Sequence, residues 1–167
     1  MEEKTDRSNK VINIAKIGVF AALYVAITFL VAPFSYGAVQ FRLSEGLNHL
    51  ADFNKRYILS LGLGCFIVNM GSPLGIIDMT VGPITTMLFA WLCYRICQKV
   101  KSLKLKLVIS TLIFSVLGMI PVALELHFIQ NLPFWWTYLT TMLGELVSMS
   151  VGAIVVYFVS QKVNLSK

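Results

Sequence analysis

Charge is scarce in this chain. Only 13% of its 167 residues are Asp, Glu, Lys or Arg, against 57% that are hydrophobic. Soluble domains carry about 25% charged residues, so the balance places this chain in the membrane class. Histidine occurs only twice, at His49 and His127, too few for a typical catalytic zinc site without carboxylate help. The three cysteines, Cys65, Cys93 and Cys97, lie in apolar stretches with no CxxC spacing and no neighbouring histidine. They read as packing residues rather than zinc ligands or a disulfide. Sequences of the forms HExxH and GxSxG are absent, as is a glycine-rich phosphate loop ending in Lys-Ser or Lys-Thr. The chain therefore reads as a non-enzyme with no cofactor. If it moves a solute uphill, a partner or an ion gradient supplies the energy. Linkers, low-complexity tracts and internal repeats are also missing, and 167 residues make one domain, 1–167.

What the chain does have is long apolar runs. They predict an all-α integral membrane bundle of six helices, at 12–32, 41–53, 57–70, 81–97, 107–124 and 134–159. The basic N-terminus before the first run imitates a signal peptide, but the run is too long and more follow, so it reads as a retained helix. Between the first two helices, PFSYGAV is an uncharged connection, and Gly71-Ser72-Pro73 breaks the third helix. The stretch from there to Gly82, carrying Asp78, is expected to be irregular. Glu125, His127 and Gln130 are expected in a short polar loop.

The formal net charge of +6 does not point to nucleic acid, because it is not spread as a stripe. Thirteen of the fourteen Lys and Arg fall at 4–16, 55–56, 95–106 and 162–167. With six helices, all four clusters land on the side that holds both termini. The positive-inside rule makes that side cytoplasmic, as expected for a multi-pass protein of the plasma membrane.

The stretch 40–54, QFRLSEGLNHLADFN, breaks the apolar pattern. As an α-helix it puts Arg42, Glu45, Asn48, His49 and Asp52 on one side and Leu43, Leu47 and Leu50 on the other. Ionisable groups cost roughly 2.5–3.5 kcal/mol each at the centre of a membrane helix. The stripe therefore faces a wet cavity or ligand site, or else the helix lies flat at the interface with its stripe to water. Arg42, Glu45, Asn69, Asp78, Glu125 and Glu145, drawn from distant parts of the sequence, all fall in the outer half or at mid-depth by this topology. Glu145 is the sharpest of them, about 15 Å into its helix. It reads as a ligand contact, against a partner of Arg42 or an acid shielded by nearby Ser and Thr. Asn69 and Asp78, beside the Gly/Pro breaks, read as ligand contacts or helix caps. Trp135, Trp136 and Tyr138 form an aromatic belt from which one ring can stack on a planar ligand. Gly18, Ala22 and Ala26 recur every fourth residue, the spacing that lets another helix approach closely, inside the bundle or outside it.

Three blocks go further. SYGAVQFRLSEGLN, LGCFIVNMGSPLGIIDMTVGP and ELHFIQNLPFWW, with Gly144-Glu145, resemble the QueT family over nearly the whole chain. That resemblance implies a six-helix S component, the substrate-binding subunit of an energy-coupling factor (ECF) transporter. It implies capture of a 7-deazaguanine queuosine precursor outside the cell. It also implies partnership with a transmembrane T component and two ATPase subunits, with Gly18, Ala22 and Ala26 as the docking face. The residues suit such a ligand. A carboxylate, Glu145 or Glu45, can accept its two adjacent N–H groups, and Asn69 or Arg42 can donate to its carbonyl. Glu125 or Asp78 suits an aminomethyl cation. Two rivals remain: an S component or ion-coupled transporter for another small molecule, and a non-transporting accessory membrane subunit.

Overall fold

The computed structural model of the chain describes residues 2–31 and 42–166, with side chains from residue 10 onward. The connection 32–41, including Gln40 and Phe41 of the polar stretch, lies outside the described residues. Every described element is helical: α1 (Glu2–Leu30), a polar 3-10 helix (Leu43–Asp52), α2 (Arg56–Asn69), α3 (Ile76–Cys97), α4 (Leu103–Gln130) and α5 (Phe134–Lys162). Within α4 the segment Ile113–Gly118 is wound as a π-helix.

Four helices are long and apolar enough to cross a membrane: α1 over Lys10–Leu30, then α3, α4 and α5. Helix α2, at 14 residues, is apolar but about 21 Å long. The polar helix reaches about 20 Å at the 2 Å rise of a 3-10 helix.

The distribution of side chains is inverted relative to a soluble domain. Leu30, Ile76, Phe128 and Trp135 are more than 70% exposed, whereas Asn48, His49, Asp52 and Asn69 are wholly buried. That arrangement suits a hydrocarbon solvent, in which polar groups must find partners inside the protein. The polar helix sits at the centre and touches all five α-helices. Its stripe faces inward rather than lying flat toward water. Through Ala51 it joins an apolar core of Tyr24, Leu61, Cys65, Val68, Phe114 and Met149. Through Leu50 it joins a second, with Tyr57, Leu107, Val156 and Leu165.

Three local expectations are corrected. The polar stretch is not an α-helix. With three residues per turn, Arg42, Glu45 and Asn48 align on one edge and Gly46, His49 and Asp52 on a second. One broad stripe becomes two narrow ones that address different neighbours. Secondly, α3 begins at Ile76, so the stretch carrying Asp78 is helical and Pro83 lies inside the helix. Gly75, at φ 63°, turns the chain into it, and Asp78 in the first turn favours the positive end of the helix dipole. Finally, Glu125, His127 and Gln130 belong to α4, which runs on to Gln130. The left-handed Asn131 (φ 56°) ends it.

All three cysteines are buried and free, in line with packing roles.

Candidate functional site

Two of the inward edges meet different partners. Around the first edge, Glu45 is gripped from both sides. Tyr24 Oη donates to Glu45 Oε1 at 2.5 Å, and Asn48 Nδ2 donates to Oε2 at 2.5 Å. Tyr24 belongs to the inner face of α1, with Ala21 and Thr28, and all three are buried. Thr28 fixes the same junction by donating to Ser44 Oγ at 2.6 Å.

Arg42, at the start of the polar helix, lies 3.7 Å from Asp78 through Nη2 and Oδ2. Asp78 is itself held by Asn69, whose Nδ2 bonds its backbone oxygen at 2.8 Å and its Oδ1 at 3.1 Å. Asn69 therefore ties the end of α2 to the start of α3 and orients the acid that faces Arg42. The amide rests over Gly82, where a side chain would collide with it.

These groups surround a cavity of about 40 Å³ lined by Arg42, Glu45, Cys65, Asp78 and Glu145 on its polar part. Phe89, Phe114, Met119 and Val122 form the apolar part. The π-wound segment of α4 supplies Phe114 and Gly118 to this wall. π-Turns commonly occur where a helix must aim residues at a functional site.

Glu145 is the least satisfied member. It is 2% exposed, and among the described residues its Oε1 has no hydrogen-bond partner. The adjacent hydroxyls do not shield it. Thr141 and Ser148 donate to carbonyls one turn back, those of Thr137 and Gly144. An unpartnered buried carboxylate oxygen is costly, and each such group calls for an explanation.

Glu125 is buried, its Oε1 has no hydrogen-bond partner among the described residues, and it lies within electrostatic range of Asp78 and Arg42. It does not line the cavity, and neither do Asn48 and Asn69, which act on lining residues. Trp135 is 73% exposed at the first turn of α5, outside the cavity, with Trp136 beside it. The aromatic surfaces in the cavity are Phe89 and Phe114, with ring centroids 6.4 Å apart. Sequence reasoning missed both, because nothing sets them apart among eleven phenylalanines. Tyr24 was missed too, although its hydroxyl in mid-span was a signal, since buried tyrosines seek a partner.

The second edge builds a separate buried cluster. His49 Nδ1 lies 2.7 Å from Ser110 Oγ, its Nε2 lies 3.0 Å from the Met149 carbonyl, and Ser110 donates to Asp52 Oδ2 at 2.7 Å. It fastens the polar helix to α4 and α5. On the outside of the bundle, Gly18, Ala22 and Ala26 are all exposed, and a side chain at Gly18 would meet nothing within 4 Å. Their spacing therefore serves no helix contact within the described bundle.

Comparison with known proteins gives a consistent result. A family model described as QueT transporter matches residues 14–161. The curated queuosine precursor transporter QueT of Lactococcus lactis subsp. cremoris (strain MG1363) is 35% identical over 170 residues. That alignment covers 96% of this chain and 99% of the relative. No solved structure matches.

Proposed function

The chain belongs to the QueT transporter family, and from that membership we propose that it binds a queuosine precursor of the 7-deazaguanine type at the Glu145 cavity and passes it into the cell. It does so as the substrate-binding subunit of an ATP-driven ECF transporter in the plasma membrane, with six membrane segments and both termini cytoplasmic. The observation that carries the site is the buried Glu145 Oε1, which has no hydrogen-bond partner among the described residues, in a cavity also lined by Arg42, Phe89 and Phe114.

The chemistry follows from which groups are already occupied. Both oxygens of Glu45 are taken by Tyr24 and Asn48, so Glu45 orients and Glu145 accepts the paired N–H donors of the ligand. Arg42 donates to the ring carbonyl, and Asp78 or Glu125 takes an aminomethyl cation. Asn69 and Asn48 hold their acids in place, and Phe89 and Phe114, inclined at 60° to each other, form the apolar wall against which the base packs. Trp135 has a role here only at the rim. An engineered protein cavity that admits benzene measures about 150 Å³, so the 40 Å³ space widens when the larger bicyclic base enters.

Energy comes from outside the chain, which has no P-loop sequence. A T component and two ATPases dock on the exposed stripe of Gly18, Ala22 and Ala26. One set of measurements tests this reading. A 7-deazaguanine precursor raises the melting temperature of the purified protein, and adenine does not. Ligand at 100 times its Kd stabilises by about 2.7 kcal/mol. Ala22→Leu or Ala26→Leu abolishes uptake in cells and leaves that shift intact, because the bulk blocks helix approach without touching the cavity. Failure of every deazaguanine to bind overturns the ligand assignment. Parallel loss of binding in the alanine variants overturns the docking face.

Topology is tested separately. Lys104 and Gln130 lie at the two ends of α4, about 39 Å apart along the axis. Lys104→Cys is labelled from the cytoplasm and Gln130→Cys from outside, while the native cysteines stay buried. Labelling of both from one side rules out the six-segment arrangement. Ser35, a second outer position, lies outside the described residues.

A further inference from the structure

We infer that the protein carries a built site for one anionic phospholipid, at the end of the bundle opposite the Glu145 cavity. An open cavity of about 490 Å³ there brings together Lys101 before α4, Lys106 in its first turn and Lys162 at the end of α5. Among the described residues, none that lines it is acidic. None of these lysines has an ion-pair partner among the described residues. Ser160 and Asn164 add neutral polar groups, and the chain end is pinned by Asn54 Nδ2 donating to the Ser166 carbonyl at 2.8 Å. Three cations lining one cavity, with hydroxyl and amide neighbours, form an electrostatic complement to a phosphate.

The second observation is where the cavity leads. Val163, the extended residue just past the end of α5, lines it, and Val159, Val155 and Val151 recur at four-residue steps along one face of the helix, 41%, 53% and 40% exposed in that order. Val155 and Val151 then line an apolar groove of about 310 Å³ closed by Ile27 and Leu30 of α1 and Leu47 of the polar helix. Leu165 of the basic cavity and Val156 of the groove belong to one packed cluster. From Val159 to Val151 the helix rises about 12 Å. One leaflet of hydrocarbon is about 15 Å thick. A free phosphate would use the lysines and make no contact with the valine face. A diacyl phospholipid with an anionic headgroup uses both.

Native mass spectrometry of the full chain tests this in micelles containing phosphatidylglycerol or phosphatidylcholine with the same acyl chains. One phosphatidylglycerol is retained preferentially. Each Lys→Gln change at 101, 106 or 162 weakens retention about fivefold, and the triple change about a hundredfold. Lys10→Gln, outside the cavity, leaves it unchanged. Val159→Asn weakens retention with all the lysines present, and inorganic phosphate or glycerol 3-phosphate at equal ionic strength fails to displace the lipid. Equal retention of the two lipids overturns the site. Equal loss in Lys10→Gln reduces it to bulk charge, and displacement by inorganic phosphate makes it a soluble-anion pocket rather than a lipid site. Each of those results sinks the proposal.

Discussion

Glu145→Gln is expected to weaken binding of a 7-deazaguanine by about 10- to 100-fold, the value of one hydrogen-bonded charged contact of roughly 1.5–3 kcal/mol. The amide keeps the shape of the acid but presents one acceptor and one donor, so it cannot accept two parallel N–H groups. The fold is expected to survive. Oε1 has no partner among the described residues, and removing an unpaired buried charge relieves desolvation instead of stranding a donor. Glu45→Gln should behave differently. Its carboxylate receives Tyr24 Oη and Asn48 Nδ2, so the amide must turn an N–H toward one of two donors. The loss there appears mainly as a lower melting temperature. Isothermal titration and thermal unfolding on both variants separate the roles. If Glu145→Gln binds normally but melts earlier, the acid is a structural partner of Arg42, and the ligand role falls to Glu45 or Glu125.

The contrast between these two acids shows where sequence reading stops. That 40–54 is out of place in an apolar chain was legible, because stacked ionisable groups in lipid require an interior. Which edge each group occupies was not, since residues with ordinary helix propensity gave no sign of 3-10 winding. That winding divides Glu45 from His49 and Asp52 and so separates the cavity from the cluster around Ser110. Asp78 was grouped with Arg42 only by depth, on an irregular segment, whereas it lies in the first turn of α3, 3.7 Å from Arg42. Pro83 lies inside α3, where neighbouring helices can satisfy the backbone group that a proline frees in an apolar bundle. Helix α4 ran past Pro121 for the same reason, carrying Glu125 with it. The aromatic walls were illegible in a different way. Trp135 and Trp136 stand out by type, but type marks the interface, whereas Phe89 and Phe114 acquire their place only from the crossing of α3 and α4.

Gly152→Ala is expected to lower stability by about 1–3 kcal/mol, the range for overpacking a tight core. At a chain length near 170 residues that corresponds to a fall in Tm of roughly 2–12 °C. The cause is a backbone crossing. A Cβ on Gly152 would lie 2.5 Å from the Gly46 carbonyl oxygen and 2.7 Å from its carbon. A Cβ on Gly46 would in turn meet Gly152 Cα at 2.7 Å and the Ser148 carbonyl oxygen at 3.1 Å. Main chain stands on both sides, so no rotamer change relieves the clash and the polar helix must move away from α5. That separation also has a functional consequence. Gly46 adjoins Glu45, and Gly152 lies two turns from Glu145, so the two carboxylates part and ligand binding weakens with stability. Gly18→Ala is the control, since its Cβ meets nothing within 4 Å and alanine favours a helix over glycine by about 1 kcal/mol. The double change Gly46→Ala with Gly152→Ala is expected to cost less than the sum of the single ones. The first methyl already forces the helices apart, and contacting residues couple non-additively. Thermal unfolding and ligand titration of the four variants decide the matter: equal Tm in Gly152→Ala and Gly18→Ala, or strict additivity in the double variant, would show that the crossing is not what joins the polar helix to α5.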